Sequence, residues 1–160
     1  MSERADALAA AFERANNDVI AAVEQCSDDQ LRIACEGEGW SVAVVAHHLA
    51  LSYPSIAGMV QLVADGQPLP PLTEEMLDTF NAQHAEEFAD VSRDETLQLL
   101  RREGQAAAER VRDLGDEQLD RAAPMPFAGG QPWSAADLIE RGLIGHPVEH
   151  GQSIRTALGR

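Results

Sequence analysis

WSVAVVAHHLALSYPSIAGMVQLVA, residues 40–64, reads as one long apolar helix and decides the fold. Ser41 is placed to cap the free N–H groups of its first turn. Trp40 and Val45 stand at hydrophobic-staple positions around that cap. At about 100° per residue, Val45, Leu49, Ser52, Ile56, Val60 and Val63 fall on one stripe, the expected buried face. His48 lies on the shoulder of this stripe, whereas His47 points to nearly the opposite side and is expected either in solvent or behind the site's ligands, not as a ligand itself. Pro54 lacks an N–H and is expected to kink the helix. Gly66-Gln67-Pro68-Leu69-Pro70-Pro71 ends it in a loop.

The rest of the chain repeats this pattern. Residues 5–23 carry Leu8, Phe12, Ala15, Val19 and Val23 at helical spacing. Ser27-Asp28-Asp29-Gln30 has capping-box spacing, which predicts a short helix to about residue 35, followed by a turn at 36–39. Thr73 caps a helix bearing Phe80, His84 and Phe88, and Ser92 opens another that runs to about residue 114. Pro124, Pro126, Gly129, Gly130 and Pro132 make an irregular loop. Trp133-Ser134 then starts the last long helix, with Leu138 completing a second staple. No strand is predicted. The expectation is an all-α four-helix bundle with short additional helices, residues 1–160 forming a single domain. A weak repeat runs through it: Ser27-Asp-Asp-Gln-Leu31 before Trp40-Ser41, and Gly115-Asp-Glu-Gln-Leu119 before Trp133-Ser134.

Composition narrows the function. Aromatic residues are 4% of the 160, so the core must be built from Ala, Leu, Val and Ile, which suits close-packed helices. Twelve basic residues, all Arg, face 27 acidic ones, for a net charge of −15. Such a surface repels phosphate backbones and anionic lipid, so neither nucleic acid nor membrane is the expected partner. The N-terminal segment carries charges throughout and lacks a long apolar run, so a soluble cytoplasmic protein is expected. Cys26 and Cys35 form no zinc or redox motif and are expected to be buried structural thiols. A small bundle with exposed apolar edges is compatible with a homodimer.

Five histidines remain: His47, His48, His84, His146 and His150. His146 and His150 are four apart, so on a helix they share a face with Cβ atoms about 5–6 Å apart. Gly142, Gly145 and Pro147 weaken the helix around them, which predicts a break near Gly145 and a restart with Pro147 in the first turn. Three imidazoles suit zinc, nickel or iron and leave a position open for water or substrate. His84 reads as a surface or core-edge residue, and Glu149 and Asp137 as solvent-facing acids or, alternatively, acidic neighbours of the site.

Trp40-Ser41 with His48 eight residues after the Trp, and Gly145-His146-Pro-Val-Glu-His150 near the end, resemble the DinB/YfiT-like metalloenzyme superfamily. The Phe80-Asn81-Ala82 segment is similar to a further family feature. The resemblance spans nearly the whole chain. It implies a four-helix bundle with a divalent metal on His48, His146 and His150. The superfamily includes bacillithiol- and mycothiol-dependent transferases and the N-terminal domain of mycothiol-dependent maleylpyruvate isomerase. A counterpart of the isomerase's C-terminal domain is not expected here, and neither is the isomerase reaction.

The expected function is therefore a metal-dependent enzyme acting on a small-molecule substrate. A thiol-dependent S-transferase using a low-molecular-weight thiol comes first, with a metal-dependent hydrolase as the alternative. A third reading is a non-enzymatic bundle working through a dimer or ligand-binding surface. No Ser-His-Asp set and no Gly-rich phosphate loop competes for the chemistry.

Overall fold

A computed structural model describes residues 2–160 and is 72% helical. Three long helices, α1 (Glu3–Glu24), α3 (Val42–Ala64) and α5 (Arg93–Arg112), pack with a composite last helix to form the bundle. That last helix is α7 (Ala135–Leu138), a π-helical segment (Ile139–Ile144) and α8 (Gly145–Ala157). Short helices α2 (Asp28–Leu31) and α6 (Asp116–Asp120) precede two small hairpins, and α4 (Glu74–Glu87) lies outside the bundle against α3. One buried cluster runs through all four bundle members, including Phe12, Val19, Leu49, Tyr53, Leu100, Leu138 and Ile154.

The expected caps form. Ser41 accepts from the Val44 N–H, Thr73 from Met76 and Ser92 from Glu95; Ser27–Gln30 and Ser134–Asp137 are reciprocal capping boxes. Each satisfies donors that a helix start leaves unpaired. α3 is the one helix among the described residues long and apolar enough to cross a membrane, but 61% of its apolar window is buried, as in a core helix. It runs unbroken through Pro54.

Three expectations need correction. Strands do occur: β1 (Ala34–Cys35) pairs with β2 (Trp40–Ser41), and β3 (Ala122–Pro124) with β4 (Pro132–Ser134), both antiparallel. They are too short to show alternation, and β1 ends α2 earlier than its capping box suggested. The last helix does not break at Gly145. Its backbone stays helical, with Gly145 at φ −61° and ψ −39°, and the Gly145 N–H reaches back to the Glu140 carbonyl in a widened turn. Lastly, of the two placements expected for His47, solvent is excluded, since the residue is 5% exposed.

The weak repeat is geometric. Each half has a short helix, a hairpin, a second strand ending in Trp-Ser, and a helix capped by that Ser. Ala34 pairs with Ser41 and Ala122 with Ser134; the Val42 N–H donates to Ile33 and the Ala135 N–H to Arg121, each at 2.9 Å. These hairpins fix where α3 and the last helix begin.

Glycines let the last helix close on its neighbours. A Cβ on Gly142 would stand 2.9 Å from Ile56 Cγ2 on α3, and one on Gly151 would stand 3.3 Å from Val19 Cγ2 on α1. Deeper in the bundle, the Tyr53 hydroxyl donates to Asn16 Oδ1 at 2.9 Å and Asn16 Nδ2 donates to the Leu100 carbonyl at 3.0 Å. This buried polar set is mutually satisfied, as burial demands.

Candidate metal centre

His48 comes from the second turn of α3, and His146 and His150 come from the start of α8. Their three candidate ligand atoms lie within 4.8 Å of one another, and all three residues are half-buried. His48 Nε2 and His146 Nε2 are 3.1 Å apart. Donors about 2.0–2.1 Å from a tetrahedral ion stand about 3.3–3.4 Å from one another, so this spacing is within a few tenths of chelating distance. The ring centroids are 5.2 Å apart for His48 and His146, 5.3 Å for His48 and His150, and 4.7 Å for His146 and His150.

The π-helical segment sets this arrangement. One inserted residue turns everything downstream by roughly 100° relative to an unbroken α-helix. His146 and His150 follow it directly, so the face they present depends on it. The Gly142, Gly145 and Pro147 anomaly thus marks a real irregularity, and its form is a widened turn.

Burial keeps the His48 and His146 imidazoles neutral. Desolvation, and then the charges of His146, His150, His84 and His47, push the His48 pKa down to about 3. Desolvation and then His150 push His146 down to about 4. A neutral imidazole offers the lone pair that a metal needs.

Glu38 completes the cluster. It sits in the turn between β1 and β2, beside Gly39 at φ 72°. Its Oε1 accepts a 2.6 Å hydrogen bond from His150 Nδ1. Its Oε2 is buried without a partner. A metal-ligating histidine characteristically donates its other ring N–H to such a carboxylate. The donor set, its spacing and this carboxylate all fit a divalent ion.

The other sequence candidates fall elsewhere. Glu149 is exposed, and Asp137 accepts the Ser134 N–H in the last helix's capping box. His84 reaches in from α4: its Nε2 is 2.8 Å from His47 Nδ1, and its ring centroid is 5.7 Å from that of His48. Its Nδ1 is buried without a partner. His47 does point away from the three, toward an open cavity of about 200 Å³ shared with Phe88, Glu95 and Arg102. Desolvation first, then His84, lowers its pKa to about 4, with Glu95 opposing. The single-stripe reading missed its burial because α3 is covered on more than one side. Glu38 was missed because a turn carries no periodicity; its flanking Gly37 and Gly39 were the only local signal.

The DinB superfamily model matches residues 11–154. Among solved structures, YfiT from Bacillus subtilis, described as a probable metal-dependent hydrolase with an unusual four-helix bundle topology, superposes with a TM-score of 0.76 at 20% identity. That match covers 99% of this chain and 90% of YfiT, and it shows a shared fold. No curated protein matches the chain.

Proposed function

The chain belongs to the DinB superfamily, and from that membership and its three-histidine cluster we propose that it is a metal-dependent enzyme for a small-molecule substrate. His48, His146 and His150 are the ligands of a divalent ion, zinc, nickel or iron, through their Nε2 atoms. The observation that carries this is the convergence of three half-buried imidazoles from two helices, one braced by a carboxylate. Held by His48, His146 and His150, such an ion would supply Lewis acidity and would lower the pKa of a water or thiol bound beside it.

Hydrolysis is the reading we favour, because YfiT, which shares the fold, is described as a probable metal-dependent hydrolase. The residues here suit it. Burial keeps His48 and His146 unprotonated at neutral pH, and Glu38 braces His150 from behind. Trp40 packs beside His48, with ring centroids 5.3 Å apart, and walls that side of the centre. Neither cysteine serves as a nucleophile. Both are buried, and desolvation followed by the Glu38 charge pushes the Cys35 thiol up to about 11. Thiol transfer would therefore require an added low-molecular-weight thiol.

The test is a panel of small esters, amides and electrophiles, run with metal-free and metal-reconstituted protein, with and without such a thiol. Metal-dependent turnover without thiol is the expected result. Turnover only with thiol assigns transfer instead, and no metal-dependent turnover of either kind favours a non-enzymatic role.

A further inference from the structure

We propose that Glu38 is the positioning residue of this centre, holding His150 in the tautomer whose Nε2 lone pair faces His48 and His146. The inference rests on reading these three histidines as ligands, and it goes beyond that reading to a residue from a different part of the chain.

The three imidazoles differ in their partners. His48 and His146 contact one another through Nε2. His150 alone has a carboxylate at its other nitrogen, with Glu38 Oε1 2.6 Å from Nδ1. The side chains are 20% and 11% exposed, so water competes little for the bond. An ionised carboxylate only accepts, so the proton of a neutral His150 must sit on Nδ1. The lone pair then sits on Nε2. Without Glu38, a neutral imidazole is free to carry its proton on either nitrogen and to rotate.

The backbone explains why this residue can do it. Glu38 rides on the β1–β2 hairpin, and Gly39 takes the left-handed conformation at φ 72° that closes the turn. A Cβ on Gly37 would stand 3.9 Å from Ser153 Oγ, so the turn lies directly against α8. The same hairpin ends in the Ser41 cap that starts α3, seven residues before His48. One small element therefore places one ligand through the helix that it starts and orients another through Glu38. The second hairpin occupies the equivalent place before the last helix, but none of its residues is bonded to the three histidines.

The experiment compares wild type, Glu38→Gln and Glu38→Ala. In metal-free protein, nitrogen-detected NMR of the assigned His150 ring reads the tautomer without any metal. In parallel, competitive titration with zinc reads the affinity. Wild type should carry the proton on Nδ1. Glu38→Ala should lose that single tautomer and weaken zinc binding about 10–100-fold. Glu38→Gln keeps an accepting oxygen, so it should retain the Nδ1 proton and lose less affinity. Thermal melts establish that each variant is folded.

A Glu38→Ala protein with the wild-type tautomer and zinc affinity within about twofold of wild type would overturn the role. If the wild type binds none of zinc, nickel, iron and manganese in such titrations, the ligand reading itself fails. The tautomer measurement still judges Glu38 separately: an Nδ1 proton lost in Glu38→Ala sustains the brace, and one retained refutes it.

Discussion

His47 on α3 and His84 on α4 are hydrogen-bonded ring to ring, Nδ1 to Nε2 at 2.8 Å, in near-parallel planes with centroids 5.1 Å apart. α4 buries none of its residues, and Phe80 and Met76 on it are 59% and 41% exposed. Its C-terminal end, where His84 and Phe88 pack on His47, is therefore its main anchor.

Replacing His84 with Ala should loosen this helix. The lost hydrogen bond is worth about 1 kcal/mol, a large share for a segment with so little burial. Hydrogen exchange across residues 74–87 should quicken severalfold, while the bundle helices and zinc affinity stay near wild type. Unchanged exchange in α4 would show that another contact holds it.

Acid should destabilise the metal-free protein early. Folded His47 and His146 titrate at about 4 and His48 at about 3, against about 6.5 in the unfolded chain. Between those values the unfolded state binds protons that the folded state refuses, so stability rises with pH there. The contribution is full above about pH 6.5 and is lost as pH falls toward 4 and 3. Urea unfolding at pH 7.5 and 5.5 checks this. The midpoint should drop at the lower pH, and bound zinc should widen the gap because protons compete with it. Equal midpoints would contradict the buried, neutral state of these rings.

Gly142→Ala tests the close approach that places the π-helical segment. The new methyl gains up to about 1 kcal/mol in helix propensity but meets Ile56 Cγ2 at 2.9 Å. Overpacking of this kind costs about 1–3 kcal/mol, so a net loss of about 1 kcal/mol is expected. Zinc affinity should fall as well, since His146 lies just downstream. Adding Ile56→Ala makes room, so the double variant should be more stable than the two single losses sum to. Strict additivity in thermal melts would rule out the contact.

Local chemistry was legible in the sequence, and long-range placement was not. Ser41 and Ser134 announce their helices because a cap involves only the next three residues. His146 and His150 announce a shared face because four residues make about one turn. The site's remaining features depend on segments far apart in the chain. Glu38 stands 112 positions from His150, and a Gly-flanked turn gives no sign of what it faces. His47 looked solvent-facing because a single stripe assumes one covered face, yet α4 and α5 add cover on the other side. Gly142, Gly145 and Pro147 flagged an irregular helix. Whether it breaks or widens was decided by how the last helix packs on Ile56 and Val19.

The central claim is a divalent ion held by His48, His146 and His150. Elemental analysis of protein purified without a histidine tag, as wild type and as His150→Ala, tests it most directly. Near-stoichiometric metal is expected in the wild type and its loss in His150→Ala, with both proteins folded. A wild type that holds no metal even after reconstitution with zinc, nickel, iron and manganese would contradict it, as would equal metal content in the two proteins.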